Sequence, residues 1–194
     1  MLPREDYMQI ACIHRDSISE GFLSTLGSRF LALLYESIDR APDCVLIVIR
    51  VDGKIVGFVS GGQTLKQVYK MMLGAWGRLF MALLPAMLSP RKLHRIAETV
   101  LFSNKNMGGD MDLPPNELLS IAVSKEFRGQ GFADQLFNNL VDHFRVRGVE
   151  KFKIVVGEAL QPAHKFYRRM GAYPVAHAEV HKGSRSTVYV RDVF

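Results

Sequence analysis

Only two of the 194 residues are cysteines, Cys12 and Cys44, and they stand far apart. That excludes a disulfide framework and any zinc-finger spacing, so both thiols read as small buried apolar side chains. An apolar leader is also missing. Arg4, Glu5 and Asp6 interrupt the opening residues, so no secretory signal is expected and the setting reads as reducing and cytoplasmic. There is no polybasic run. The net charge is +6 and its lysines and arginines are scattered, which disfavours nucleic acid but suits an anionic ligand or a membrane surface. The string G-x-x-x-x-G-K-[ST] does not occur, so a nucleoside-triphosphate P-loop is excluded.

What is present is enough for one domain over residues 1–194. Hydrophobic residues make up 48% and charged residues 23%, the balance of a chain that buries a real core. The most informative stretch runs from Glu117 to Gly148. Leu118 to Val123 is short, apolar and strand-like. R-G-Q-G follows at Arg128 to Gly131. Then Ala133, Leu136, Phe137, Leu140, Val141 and Phe144 recur at helical spacing, and Gly148 closes the helix. A tight turn opening a helix leaves backbone N–H groups without partners at the positive end of the helix dipole. Amides of Gly129, Gln130, Gly131, Phe132 and Ala133, with Arg128 beside them, therefore suit a diphosphate. A bare helix-capping turn is the plain alternative. A dinucleotide fingerprint fails on two residues: Asp134 stands where the third glycine belongs, and the acid expected after the next strand is missing, since Glu150 precedes that strand.

The segment resembles the coenzyme A loop of the GNAT superfamily of N-acetyltransferases, R/Q-x-x-G-x-G/A, with Arg128, Gly131 and Ala133 in place. A second element, A-x-x-F-Y-x-x-x-G at Ala163, Phe166, Tyr167 and Gly171, resembles the family's tyrosine helix. The resemblance spans Glu117 to about Tyr173. It implies an α/β (α+β) fold with a mixed, mostly antiparallel sheet, one splayed parallel strand pair and helices on both faces. It also implies acetyl-CoA as cosubstrate, no metal, and a primary amine of a small molecule as acceptor. The acyl–pantetheine arm would lie along Glu117–Val123, with amides near Ile121, Ala122 and Val123 on the thioester oxygen and Phe166 beside it. Tyr167 is the expected acid for the leaving thiolate, because a phenol of pKa about 10 stays protonated at neutral pH. Glu117 is the candidate base, since it heads the strand and sits where some members of the family it resembles carry a catalytic glutamate; alternation puts it on one face with Leu119 and Ile121 unless a bulge intervenes, and a solvent-exposed strand end is its plain alternative. One departure stands out. Many family members carry asparagine seven residues before the tyrosine, where this chain has Leu160; the adjacent Gln161 is the expected substitute.

The remaining chain reads as follows. Arg4–Arg15 and Gly21–Ile38 are amphipathic helices, and Met1–Pro3 leaves little room for the family's first strand. Cys44–Arg50 and Ile55–Ser60 form a hairpin about V-D-G-K, with Gly61 and Gly62 breaking the second strand. Residues 64–111 then form a helical insertion between the family's third and fourth strands. Within it, Met71–Leu88 has Arg78 as its sole charge. It reads as a helix against the domain or a second subunit, as one on a membrane surface or lining a greasy acceptor pocket, or as a span. A helix over Pro90–Phe102 and a loop over Asn104–Pro115 are expected next. Phe152–Val156 should be a strand parallel to Leu118–Val123. Pro162 should open a helix running to Gly171, and Tyr173–His181 and Arg185–Val193 should close the chain as a hairpin. His177 and His181 share a strand face but lack the acids of a metal site. His164 lies beside Tyr167 as an alternative acid or substrate contact. Two other functions compete: a noncatalytic acyl-CoA-binding module, with Leu160 as a sign of decay, and a membrane-surface acetyltransferase for a lipid-linked amine.

Overall fold

A computed structural model describes residues 1–18, 22–87, 113–181 and 184–194. Six strands, β1 (Cys44–Val51), β2 (Lys54–Gly62), β3 (Glu117–Val123), β4 (Lys151–Gly157), β5 (Tyr173–His181) and β6 (Ser184–Asp192), form a sheet ordered β1-β2-β3-β4-β6-β5. Every neighbouring pair is antiparallel except β3 and β4. The hairpin turn forms where Asp52 and Gly53 take positive φ, 49° and 77°, the conformation that matches the strand twist. Gly61 and Gly62 do not break β2, as the sequence suggests; the strand runs through both. A Cβ on Gly61 would stand 2.9 Å from a Leu140 methyl, and one on Gly62 2.7 Å from Cys44 Sγ. These glycines let a helix and a neighbouring strand approach closely.

Helices α1 (Arg4–Ser17), α2 (Ser28–Arg40), α3 (Lys66–Gly74) and α4 (Trp76–Met87) cover one face, while α5 (Phe132–Val146) and α6 (Gln161–Arg169) cover the other. Helix α1 buries Tyr7, Ile10, Ala11 and His14, the face its periodicity predicts. The expected helix over Gly21–Ile38 is divided. A 3₁₀ turn over Phe22–Leu26 is followed by Gly27 at φ 93°, and only then by α2. Residues 1–3 form no strand. The apolar stretch after residue 71 is also divided, at Gly74–Ala75, and among the described residues no helix is long and apolar enough to cross a membrane.

The lone charge of this stretch has a structural use. The buried carboxylate of Glu36 accepts hydrogen bonds from Arg78 at 2.5 and 3.2 Å and pairs with Arg40 at 2.9 Å, fastening α4 to α2. Arg78 holds the Glu36 carboxyl below its usual range. The expected helix over Pro90–Phe102 and all but the end of the Asn104–Pro115 loop lie outside the described residues.

Candidate active site

Strands β3 and β4 each have seven residues but share only two register pairs, Glu117 with Lys153 and Leu118 with Ile154. Beyond these the two strands diverge, while β2 keeps its pairing to β3 as far as Val123 and β6 keeps its pairing to β4 as far as Gly157. A parallel pair that opens this early leaves main-chain groups along both edges of a gap. A bulge decides which groups those are. Gly61 opposes Leu118 and Ser60 opposes Ser120, so β3 carries one extra residue there. At the far end Ser124 N–H donates to Val56 O at 2.8 Å. Alternation back along β3 then turns the amides and carbonyls of Val123 and Ile121 into the gap and those of Ala122 towards β2. The bulge is the exception on which the alternation expected for Glu117 depended. Leu119 packs with the α1–α2 core and Ile121 with the α5 core, so the two do not share a face.

At the end of β3 the chain makes a short 3₁₀ turn, Lys125–Phe127, and enters the glycine loop. Gly129 and Gly131 have φ of 77° and 82°, left-handed values that glycine adopts without strain. The amides from Gly129 to Asp134 find no acceptor among the described residues, and α5 takes up its own bonding only when Gln135 N–H reaches Gly131 O at 3.0 Å. A Cβ at Gly129 or Gly131 would meet nothing within 4 Å, so the turn is open on its outer side. Six adjacent N–H groups without acceptors stand at the positive end of a fifteen-residue helix, donors of the kind an anion takes up.

The side chains around the loop are engaged in holding it. Arg128 folds back, donating from Nε to Val123 O at 3.2 Å and from Nη2 to Ser17 Oγ at 3.0 Å. It braces the loop against β3 and α1 as well as adding charge. Gln130 Nε2 donates to Glu126 O at 3.2 Å, and Phe132 meets Phe127 edge-on. Asp134, which spoils the dinucleotide pattern, is held by Arg169 through two bonds of 2.6 and 2.7 Å. Its charge is thereby compensated by α6 instead of opposing an anion at the loop.

Tyr167 is 7% exposed, with its ring among those of Phe137, Phe166 and Tyr189. Its hydroxyl makes no hydrogen bond among the described residues. Burial pushes its pKa well up, so the phenol keeps its proton. Glu117 sits at the opposite end of β3 from the loop, about 20 Å away along an extended strand. Lys153 Nζ stands 3.8 Å from its carboxylate and also donates to Pro114 O at 3.1 Å. Burial raises the Glu117 pKa and Lys153 opposes that rise. Gln161 is exposed and donates to Glu158 O at 3.0 Å, and Leu160 occupies the N-cap of α6. Both nitrogens of His164 are occupied. Nε2–H donates to Gly157 O at 3.1 Å, which leaves Nδ1 to accept from Tyr189 Oη at 2.8 Å. His177 is exposed near Glu158, and no group of three metal-ligating residues occurs among the described residues.

Sequence reasoning missed one cluster. His14 Nδ1 lies 2.5 Å from Tyr35 Oη, and Tyr35 is hydrogen-bonded to Ser120 at the bulge. His14 Nε2 and Ser60 Oγ are buried without partners. The available signal was a histidine on the buried stripe of α1 and a serine inside each apolar strand.

The acetyltransferase (GNAT) family model matches residues 92–172, a segment that contains β3, the glycine loop, α5, β4 and α6. The chain has the GNAT fold. A protein of the GNAT family from Desulfovibrio desulfuricans superposes with a TM-score of 0.63 at 16% identity, covering 100% of this chain and 95% of that one. An N-acetyltransferase from Staphylococcus aureus gives 0.63 at 14%, covering 100% and 96%. The ribosomal-protein-S18-alanine N-acetyltransferase of Escherichia coli gives 0.58 at 12%, covering 99% and 90%. No curated protein sequence matches significantly. In GNAT terms β3 and β4 stand for the family's fourth and fifth strands and α5 for its third helix. The family's first strand has no counterpart in Met1–Pro3.

Proposed function

We propose that residues 1–194 form one GNAT-type domain, cytoplasmic in setting, that transfers an acetyl group from acetyl-CoA directly to the primary amine of a small molecule. The row of free amides from Gly129 to Asp134, next to a gap that opens between β3 and β4, carries this reading. Diphosphate oxygens fit the loop, the pantetheine arm fits the gap, and amides of Ile121 and Val123 suit the thioester oxygen. As the amine nitrogen bonds to the acetyl carbon, those amides stabilise the oxyanion. As the carbon–sulfur bond breaks, the Tyr167 phenol gives its proton to the departing thiolate. The amine releases a proton to Glu117, directly or through water. Burial raises the pKa of this carboxyl even with Lys153 Nζ 3.8 Å away, which favours that role. Phe166 edges onto Tyr167 and Phe137 and keeps the pocket around the phenol dry.

The experiment is an amine panel with detection of free thiol in the presence of acetyl-CoA. The S18-alanine acetyltransferase named above acts on a protein alanine, so the panel includes short peptides beside amino sugars, amino acid derivatives and polyamines. Thiol release with at least one amine, lost in Tyr167→Phe, supports the reading. Thermal stabilisation by acetyl-CoA without turnover across the panel supports the binding-module alternative, which Leu160 favours. No stabilisation at all refutes both.

A further inference from the structure

Helices α3 and α4 are apolar on two sides. Val68, Met72 and Ala82 face the core. A second set faces solvent, Tyr69 and Leu73 one turn apart on α3 and Trp76, Phe80 and Leu84 one turn apart on α4, with exposures from 42% at Leu84 to 75% at Trp76. Folded chains seldom leave this many large apolar side chains open on neighbouring helices unless something covers them. Charge says what that is. Residues 66–87 contain no aspartate or glutamate. Lys66 and Lys70, both exposed, flank this set and make no ion pair among the described residues. Beside α4 a groove of about 590 Å³ runs between α1, α2 and α4, and Arg4, Arg29, Met8 and Met81 line it. Neither Arg4 nor Arg29 makes an ion pair or hydrogen bond among the described residues, while Glu36, the acid of that groove, is taken by Arg78 and Arg40.

Unpaired cations around a set of tryptophan, tyrosine, phenylalanine and leucine side chains match the boundary of an anionic bilayer. Aromatic rings settle at the headgroup level, aliphatic side chains enter the acyl region, and lysine stems reach back to phosphates. We propose that the α3–α4 face is a peripheral membrane contact that seats on anionic phospholipid, with phosphate groups at Lys66, Lys70 and the Arg4–Arg29 groove. A protein partner would need its own acidic apolar face; a lipid surface supplies both parts at once. Among the described residues neither helix is long and apolar enough to cross a bilayer, which suits a contact lying in the interface. This inference stands apart from the acetyl-transfer reading, because its test reads binding alone.

Trp76 is the chain's only tryptophan, so intrinsic emission reports on this face and nowhere else. The full chain is titrated with vesicles of phosphatidylglycerol mixed with phosphatidylcholine, and with pure phosphatidylcholine, followed by Trp76 emission and by co-sedimentation. The expected result is a blue shift and sedimentation with the anionic vesicles that weaken as salt is raised. L73D/F80D, which keeps Trp76, should weaken binding roughly 100-fold or more, since two apolar side chains lose their burial. K66A/K70A should weaken it roughly tenfold and flatten the salt dependence. Melting temperatures and far-ultraviolet circular dichroism verify that the variants fold. No shift and no sedimentation overturns the proposal, as does equal binding by L73D/F80D. A concentration-dependent dimer that L73D/F80D abolishes, without vesicle binding, assigns the face to a second copy of this chain and also overturns it.

Discussion

Replacing Gly131 with aspartate places a carboxylate in the centre of the amide row. The backbone there has φ 82°, and nothing lies within 4 Å of a new Cβ. The fold therefore meets no steric clash, only the left-handed strain of a non-glycine residue, about 1–2 kcal/mol and less for aspartate. Coenzyme binding meets a larger effect. A carboxylate about 5 Å from a diphosphate charge, at an effective dielectric of about 20, is repelled by about 3 kcal/mol, and solvent screening reduces this to about 1–3. Affinity should fall roughly 10- to 100-fold. Gly131→Ala is the control, because it carries the strain without the charge and should shift affinity only a few-fold. The assay is calorimetric titration of coenzyme A into both variants, with melting curves run alongside. The electrostatic part should shrink as salt is raised. If Gly131→Asp binds within threefold of Gly131→Ala at low salt, the loop does not hold the diphosphate and the reasoning fails.

Three further outcomes follow from the same geometry. Tyr167→Phe should lower kcat about 10²-fold or more while leaving coenzyme affinity within a few-fold; equal turnover in steady-state assays would remove its acid role. Glu117 is active as a base only when ionised, so kcat/KM should fall as pH drops through a value raised above the usual carboxylate range. Glu117→Gln should erase that acid limb, and a limb that persists unchanged assigns the proton to another group. Burial lowers the His14 pKa from 6.5 to about 4. Above about 6.5 both folded and unfolded states carry it neutral; below that the unfolded chain takes up a proton that the folded chain refuses. Stability should therefore drain away between about pH 6.5 and 4, by about 3 kcal/mol from this group. His14→Leu, compared by chemical denaturation across that range, should have the flatter profile.

Local signals made much of this architecture legible. The Asp52-Gly53 turn, the α5 stripe and the short β3 and β4 runs each depend on residues close in sequence, and the helix between β3 and β4 requires their parallel course. What escaped reading depends on distant segments. The bulge in β3 exists only in register with Gly61 and Ser60, so Leu119 and Ile121 could not be assigned to faces from alternation alone. Gly61 and Gly62 looked like strand breakers because the residues that crowd them, Leu140, Phe144 and Cys44, lie on other elements. Lys153 beside Glu117, Arg169 beside Asp134 and the folded-back Arg128 all change electrostatics that the motif residues alone suggested. The His14–Tyr35–Ser120 cluster joins α1, α2 and β3, and no single segment shows it. The central stretch was legible because strand, loop and helix are contiguous and the chemistry of the loop is main-chain chemistry, set by where glycine stands.

Amide NMR of the labelled chain, titrated with coenzyme A, tests the central claim most directly. The largest shifts should fall on Gly129 through Asp134, with Ile121 and Val123 moving as the arm enters the gap and Ala122, bonded to β2, moving less. Saturable binding that leaves the amides of residues 129–134 unmoved would contradict it.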